Sequence, residues 1–148
     1  MSWRALVASV VAFVLACGAY FYRAALYPMP DLDRLTAREL VQTYFERVGL
    51  NDWHNAMRCC APEYRARNES AIRETVVLLS DLEISGGQPA PPLPGYSDYA
   101  DIRLFVAEYV MVGWIHTMPI NARQTRFVYV GRRNPSDPWR IVGVGSAP

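Results

Sequence analysis

From Ala5 to Tyr22 the chain reads ALVASVVAFVLACGAYFY, eighteen residues without a charge. No other feature constrains it as strongly. As a helix that run spans about 27 Å, close to the thickness of a bilayer's hydrocarbon core. Arg4 precedes it and Arg23 follows it. Trp3 stands at one end, and Tyr20, Phe21, Tyr22 and Tyr27 at the other. Amphipathic rings favour the headgroup level, so both flanks read as aromatic belts. Residues 1–30 are expected to form a membrane anchor or signal segment with its linker. The bilayer is the first expected partner.

The anchor has two main readings. One is a retained single span. The other is a lipoprotein signal, in which Val14-Leu15-Ala16-Cys17 resembles the bacterial lipobox and Cys17 receives the lipid. Leu15 is larger than the usual residue there, and Gly18-Ala19-Tyr20-Phe21-Tyr22 stays apolar where a lipoprotein continues as a polar tether. A cleaved signal is the third reading. As a plain helix residue, Cys17 is a small apolar side chain. Arg23, Arg34 and Arg38 after the span weigh against export by the positive-inside count, whereas the signal-like N-terminus favours it. The expected arrangement is N-in, C-out, with the C-terminal domain outside the cytoplasm.

Residues 31–148 are enough for one domain with its own core. An apolar content of 51% with 20% charged residues describes a folded domain and not a disordered tail. The net charge of +1, with acids and bases interspersed, gives no nucleic-acid-binding face. All 15 basic residues are arginine. Without lysine there is no Schiff-base chemistry and no phosphate-loop lysine. Cys59 and Cys60 are adjacent, which fits one buried thiol and one neighbour better than a disulfide. No second cysteine pair completes a zinc site, His54 and His116 are far apart, and no metal or cofactor is expected.

Tyr27-Pro28-Met29-Pro30-Asp31 breaks the first helix and makes a short stiff linker. Thr36-Ala37-Arg38-Glu39 is a capping box, with Leu35 and Leu40 at the hydrophobic-staple positions. The helix it opens carries Leu40, Val41, Tyr44, Phe45 and Val48 on one face, and Gly49 ends it. Asn51 or Asp52 caps a second helix from Trp53 to about Ala61, closed by Pro62, with a further turn over 62–67. Strands are expected over 75–85, 101–114, 124–132 and 139–144. GGQPAPPLPG, 86–95, reads as a loop, and Asn134-Pro135-Ser136-Asp137-Pro138 as a hairpin turn. Helices first and antiparallel strands afterwards give an α+β domain, with helices covering one face of a curved sheet.

Leu40-Val41-Gln42-Thr43-Tyr44-Phe45, then Asn51-Asp52-Trp53, then Ala61-Pro62-Glu63 resembles the entry to the nuclear transport factor 2-like, cystatin-like cone fold. The closing segment from Asn134 to Gly143 is similar to the last hairpin of a family of small bacterial exported proteins of unknown function with that fold. The resemblance covers roughly residues 35–148. It implies a cone whose relatives include isomerases, dehydratases, ligand binders and assembly subunits. The enzymes among them place a carboxylate or histidine and a hydrogen-bond donor inside the cone. No such set carries over to this chain residue by residue.

The catalytic candidates are Glu108, His116 and His54. Glu108 interrupts the apolar strand Val106-Ala107-Glu108-Tyr109-Val110. Buried, it would be an acid or base; facing solvent, it would pair with Arg103 or Arg126. His116 is within sequence reach of Asp98 and Asp101. His54 opens a helix, where a neutral imidazole is favoured. For each histidine the plain alternative is a solvated side chain. Tyr44, Tyr109 and Trp114 are the expected ligand-binding residues, with Trp53 and Trp139 as further aromatics of pocket or core. Arg132-Arg133, near Arg123 and Arg126, could touch anionic headgroups, although adjacent strand residues face opposite sides.

The expected function is non-catalytic binding of a partner protein or small apolar ligand by a membrane-tethered domain. The first alternative is a structural subunit of an envelope complex, with an envelope protein or a second copy as partner. That bitopic plan resembles the anchored cone-fold subunits of type IV secretion systems. The second is a small isomerase, dehydratase or hydrolase using the cone.

Overall fold

The computed structural model describes residues 3–68, 74–115 and 118–146. The apolar run forms helix α1, Trp3–Tyr22. Phe13, Val14 and Leu15 are 70%, 60% and 67% exposed. Consecutive helix residues lie about 100° apart, so α1 is apolar and uncovered on several faces at once. It packs chiefly on the 3₁₀ turn Arg23–Leu26 that follows. Among the described residues no helix is long and apolar enough to cross a membrane. The side chains of α1 are described without a break only over 5–19, about 22 Å of helix against a core of about 30 Å. Of the expected belt residues, Trp3, Tyr22 and Tyr27 are exposed. The side chains of Arg4, Tyr20, Phe21 and Arg23 lie outside the description.

The linker is held by an arginine of the next helix, α2, Ala37–Gly49. Buried Arg47 donates to Tyr27 O at 2.7 Å and Pro28 O at 2.8 Å, and pairs with Asp52 at 3.3 Å. The capping box forms: Glu39 N donates to Thr36 Oγ1 at 3.3 Å, and Thr36 N to Glu39 Oε2 at 2.8 Å. Gly49 is the last residue of α2, and the left-handed conformation falls on Asn51, φ 56°, an αL position that asparagine tolerates. Its side chain bonds both backbone groups of Val76, pinning the sheet to the helical layer.

Asp52 caps α3, Trp53–Arg58, by accepting from Asn55 N. This helix stops three residues before the expected Ala61 because the sheet takes over its backbone. Ile141 N donates to Cys59 O at 2.9 Å, and Ala61 N to Ile141 O at 2.8 Å. Pro62 then opens α4, Pro62–Asn68, at a position where its missing N–H is no loss.

The sheet is a four-stranded antiparallel meander of β1 Thr75–Pro89, β2 Asp101–Ile115, β3 Met118–Arg132 and β4 Arg140–Gly145, in that order. Helices followed by an open antiparallel sheet make the domain α+β, an arrangement compatible with a cone. Two strands outrun their expected bounds by more than one residue. β1 continues through Gly86–Pro89, which the composition assigns to loop; it is an edge strand, where proline is tolerated, and a bulge between Gly86 and Gln88 absorbs the irregularity. β3 begins at Met118 because Met118–Arg123 pair with β2 in unbroken register.

The core lies between α2 and one face of the sheet. Leu40, Val41, Phe45 and Val48 meet Phe105, Ala107, Tyr109, Met111, Val128, Val130 and Ile141. Burying a side chain of this size contributes about 1.5–3 kcal/mol. A smaller cluster of Ala61, Tyr96, Ile102 and Val142 lies under the loop after β1. Arg133 holds that loop by pairing with Asp98 at 2.6 Å and with Glu63. Arg132 pairs with Asp101 at 3.1 Å and stacks 4.4 Å from the Trp139 ring centre. Arg132-Arg133 therefore do not form a bare headgroup patch; internal carboxylates already face both.

Cys59 and Cys60 are both buried, where one buried thiol and one neighbour were expected, and neither is in a disulfide. Burial pushes the Cys59 thiol up to about 11, and the Cys60 thiol further. Both stay protonated and inert at neutral pH. Cys17, half-buried on α1, is the one thiol that the domain does not bury. In the native protein at pH 7.5 Cys59 and Cys60 should not react promptly with a thiol-specific chromogenic reagent, and both should react after denaturation. Prompt reaction of Cys59 would contradict this packing.

Candidate functional site

Between α2, α3, α4 and the inner sheet face lies a cavity of about 270 Å³. Five of its eleven lining residues are aromatic: Tyr44 and Phe45 of α2, Trp53 of α3, Tyr64 of α4 and Tyr109 of β2. Phe45 stands between its neighbours, 5.2 Å from the Tyr44 ring centre and 5.1 Å from that of Tyr109. Glu74 and Arg126 supply the charged groups of the wall.

Strand alternation explains which residues arrive here. Tyr109 shares its face of β2 with buried Phe105, Ala107 and Met111. Arg126 of β3 is directly across from Ala107, whose small side chain leaves the guanidinium room. Glu74, two residues before buried Val76, points the same way as β1 begins. Trp53 Nε1 donates to Glu74 O at 3.1 Å and fixes that turn of chain.

Arg126 is the hub. It pairs with Glu74 at 3.2 Å and donates to Ser146 Oγ at 2.7 Å. Both members of the ion pair are about one-fifth exposed, 18% for Arg126 and 20% for Glu74. Tyr64 and Tyr109 each carry a phenol O–H that can donate to a ligand.

Burial pushes the phenols of Tyr64 and Tyr109 up to about 12, and that of Tyr44 well above the usual tyrosine range. Folded-state values above the unfolded value of about 10 mean that the folded state holds these protons more tightly. Stability is then whole below about pH 10 and is lost as pH rises towards about 12. The melting temperature should stay level from about pH 7 to 9 and fall steeply from about pH 10. Tyr109→Phe should make the fall shallower; an unchanged slope would contradict the burial of that phenol.

The expected site residues are dispersed. Tyr44 and Tyr109 line the cavity. Trp114 is 45% exposed near the end of β2. Glu108, one residue from Tyr109, is on the opposite face of the sheet, across from Glu83 and Thr125, and accepts from Thr125 Oγ1 at 3.4 Å. The arginines considered for it are engaged elsewhere, Arg103 with Asp101 and Arg126 with Glu74. His54 is exposed on α3, and His116 lies outside the described residues. Tyr64 and Glu74 were not expected in a site, and Arg126 was considered only as a partner of Glu108 or beside the Arg132-Arg133 headgroup patch. Among the described residues no group of three or more histidine, cysteine or acidic side chains could hold a metal ion. Compared with known proteins, the chain matches no family model, no curated protein and no solved structure.

Proposed function

We propose that this chain is a membrane-tethered binding domain of the nuclear transport factor 2-like cone type, held outside the cytoplasm, and that its cavity takes a small apolar ligand without transforming it. The observation that carries this reading is the cavity itself: about 270 Å³ bounded by five aromatic rings, with its one ion pair internally neutralised. Ligand sites are mostly apolar concavities with a few fixed polar groups. Buried, protonated phenols and a carboxylate already paired with arginine are hydrogen-bonding groups, not a poised base.

The tether rests on α1. Its uncovered Phe13, Val14 and Leu15 need a nonaqueous environment, and the Ala5–Tyr22 run, as sequence, is long enough to reach across one. Lipidation of Cys17 would serve the same end.

The test is a screen of small aromatic and aliphatic compounds against the full chain in detergent, read by ligand-observed magnetic resonance. Several should bind in the micromolar to millimolar range and be lost in Val144→Phe, which fills the cavity. Binding that Val144→Phe leaves unchanged, or no binding at all, would contradict the reading. A structural subunit is the second reading, favoured by edge strand β1, whose Val77 and Leu78 are exposed. It predicts co-purification with an envelope protein or with a second copy of the chain, and indifference to Val144→Phe.

A further inference from the structure

We propose that the cavity selects uncharged ligands bearing a hydrogen-bond-accepting oxygen, such as a carbonyl, and rejects carboxylates of the same shape, because Glu74 already neutralises Arg126. The proposal rests on the ligand-binding reading above and narrows it to a chemical class.

An arginine in an aromatic pocket ordinarily signals an anionic ligand. Here its charge is spent within the protein. Arg126 faces Glu74 at 3.2 Å, and its other terminal nitrogen donates to Ser146. A bound carboxylate would compete with Glu74 for one guanidinium and place two negative charges in a partly desolvated space. Both terms oppose binding. A carbonyl oxygen meets neither penalty. Tyr64 and Tyr109 line the cavity, and a phenol O–H is a donor for a carbonyl oxygen. Phe45, Val48, Trp53 and Met57 of the wall suit an apolar or aromatic body.

Benzamide and benzoate are near-isosteric and differ in charge, so they isolate the effect. Titration calorimetry on the full chain in nonionic detergent at pH 7.5 should show benzamide binding about tenfold or more tightly than benzoate. Val144→Phe should abolish it, locating the site. Glu74→Gln keeps the shape and frees the guanidinium, so benzoate should gain about tenfold or more and overtake benzamide. The comparison on the unsubstituted protein needs no variant to fold. Benzoate equal to or tighter than benzamide there, at a site blocked by Val144→Phe, would overturn the selectivity while leaving the ligand-binding reading intact. Failure of both probes when other carboxylates from the screen bind at that site would also overturn it. Failure of every compound would remove the reading and this inference together.

Discussion

Arg47→Met should destabilise the protein by about 3–5 kcal/mol, the range for removing one partner of a buried ion pair. Arg47 is 4% exposed and joins three pieces of chain: the linker carbonyls of Tyr27 and Pro28, helix α2 on which it sits, and Asp52 at the start of α3. Its loss leaves Asp52 with Asn55 as its remaining donor among the described residues and takes the partner from the carbonyls of Tyr27 and Pro28. Equilibrium urea unfolding measures the cost. The linker should be released at the same time, so limited proteolysis should newly cut between about residues 24 and 34. Arg47→Lys should recover part of the stability, since one ammonium keeps the charge but cannot span two carbonyls and a carboxylate as the guanidinium fork does. A loss below about 1 kcal/mol with no new cleavage would mean that the linker is held by something else.

Phe45→Ala should cost a comparable amount, about 3–5 kcal/mol, by leaving a void that its neighbours cannot close. It should also change what the cavity holds. Phe45 is 2% exposed and belongs to two concavities, the 270 Å³ cavity and a larger cleft of about 700 Å³ between α2 and β1. It is the wall between them. Without the ring, Tyr44 and Tyr109 lose their shared aromatic neighbour and a bound ligand loses one side of its enclosure. Chemical denaturation reads the stability, and titration of a screen ligand should show affinity reduced about tenfold or more. Phe45→Leu, which keeps most of the volume, should retain most of both. Full stability together with lost binding would place Phe45 in direct ligand contact and not in the partition.

How much of this was legible beforehand differs from element to element, for physical reasons. The start of α2 was legible because a capping box is a local pattern whose hydrogen bonds close within four residues. The extra strand residues 118–123 were not, because Met-Pro-Ile-Asn-Ala-Arg carries no strand-forming run and owes its conformation to pairing with β2. Arg47 adjoins the apolar stripe of α2, and composition alone does not tell a buried hub from a solvated cation. Glu74 and Arg126 are 52 positions apart and meet only once the sheet is built. Glu108 is different. Naming Tyr109 as a pocket residue already turned its neighbour to the opposite face, since side chains alternate along a strand. That signal was present in the sequence.

The most direct measurement is a crystal structure of the protein grown with benzamide. The account predicts ligand density among Tyr44, Tyr64, Trp53 and Tyr109, its carbonyl oxygen within hydrogen-bonding distance of a tyrosine hydroxyl and the Glu74–Arg126 pair intact beside it. Density for water alone, or aromatic side chains collapsed into the space, would contradict a ligand site there and leave only the outer surfaces of the domain to carry its function.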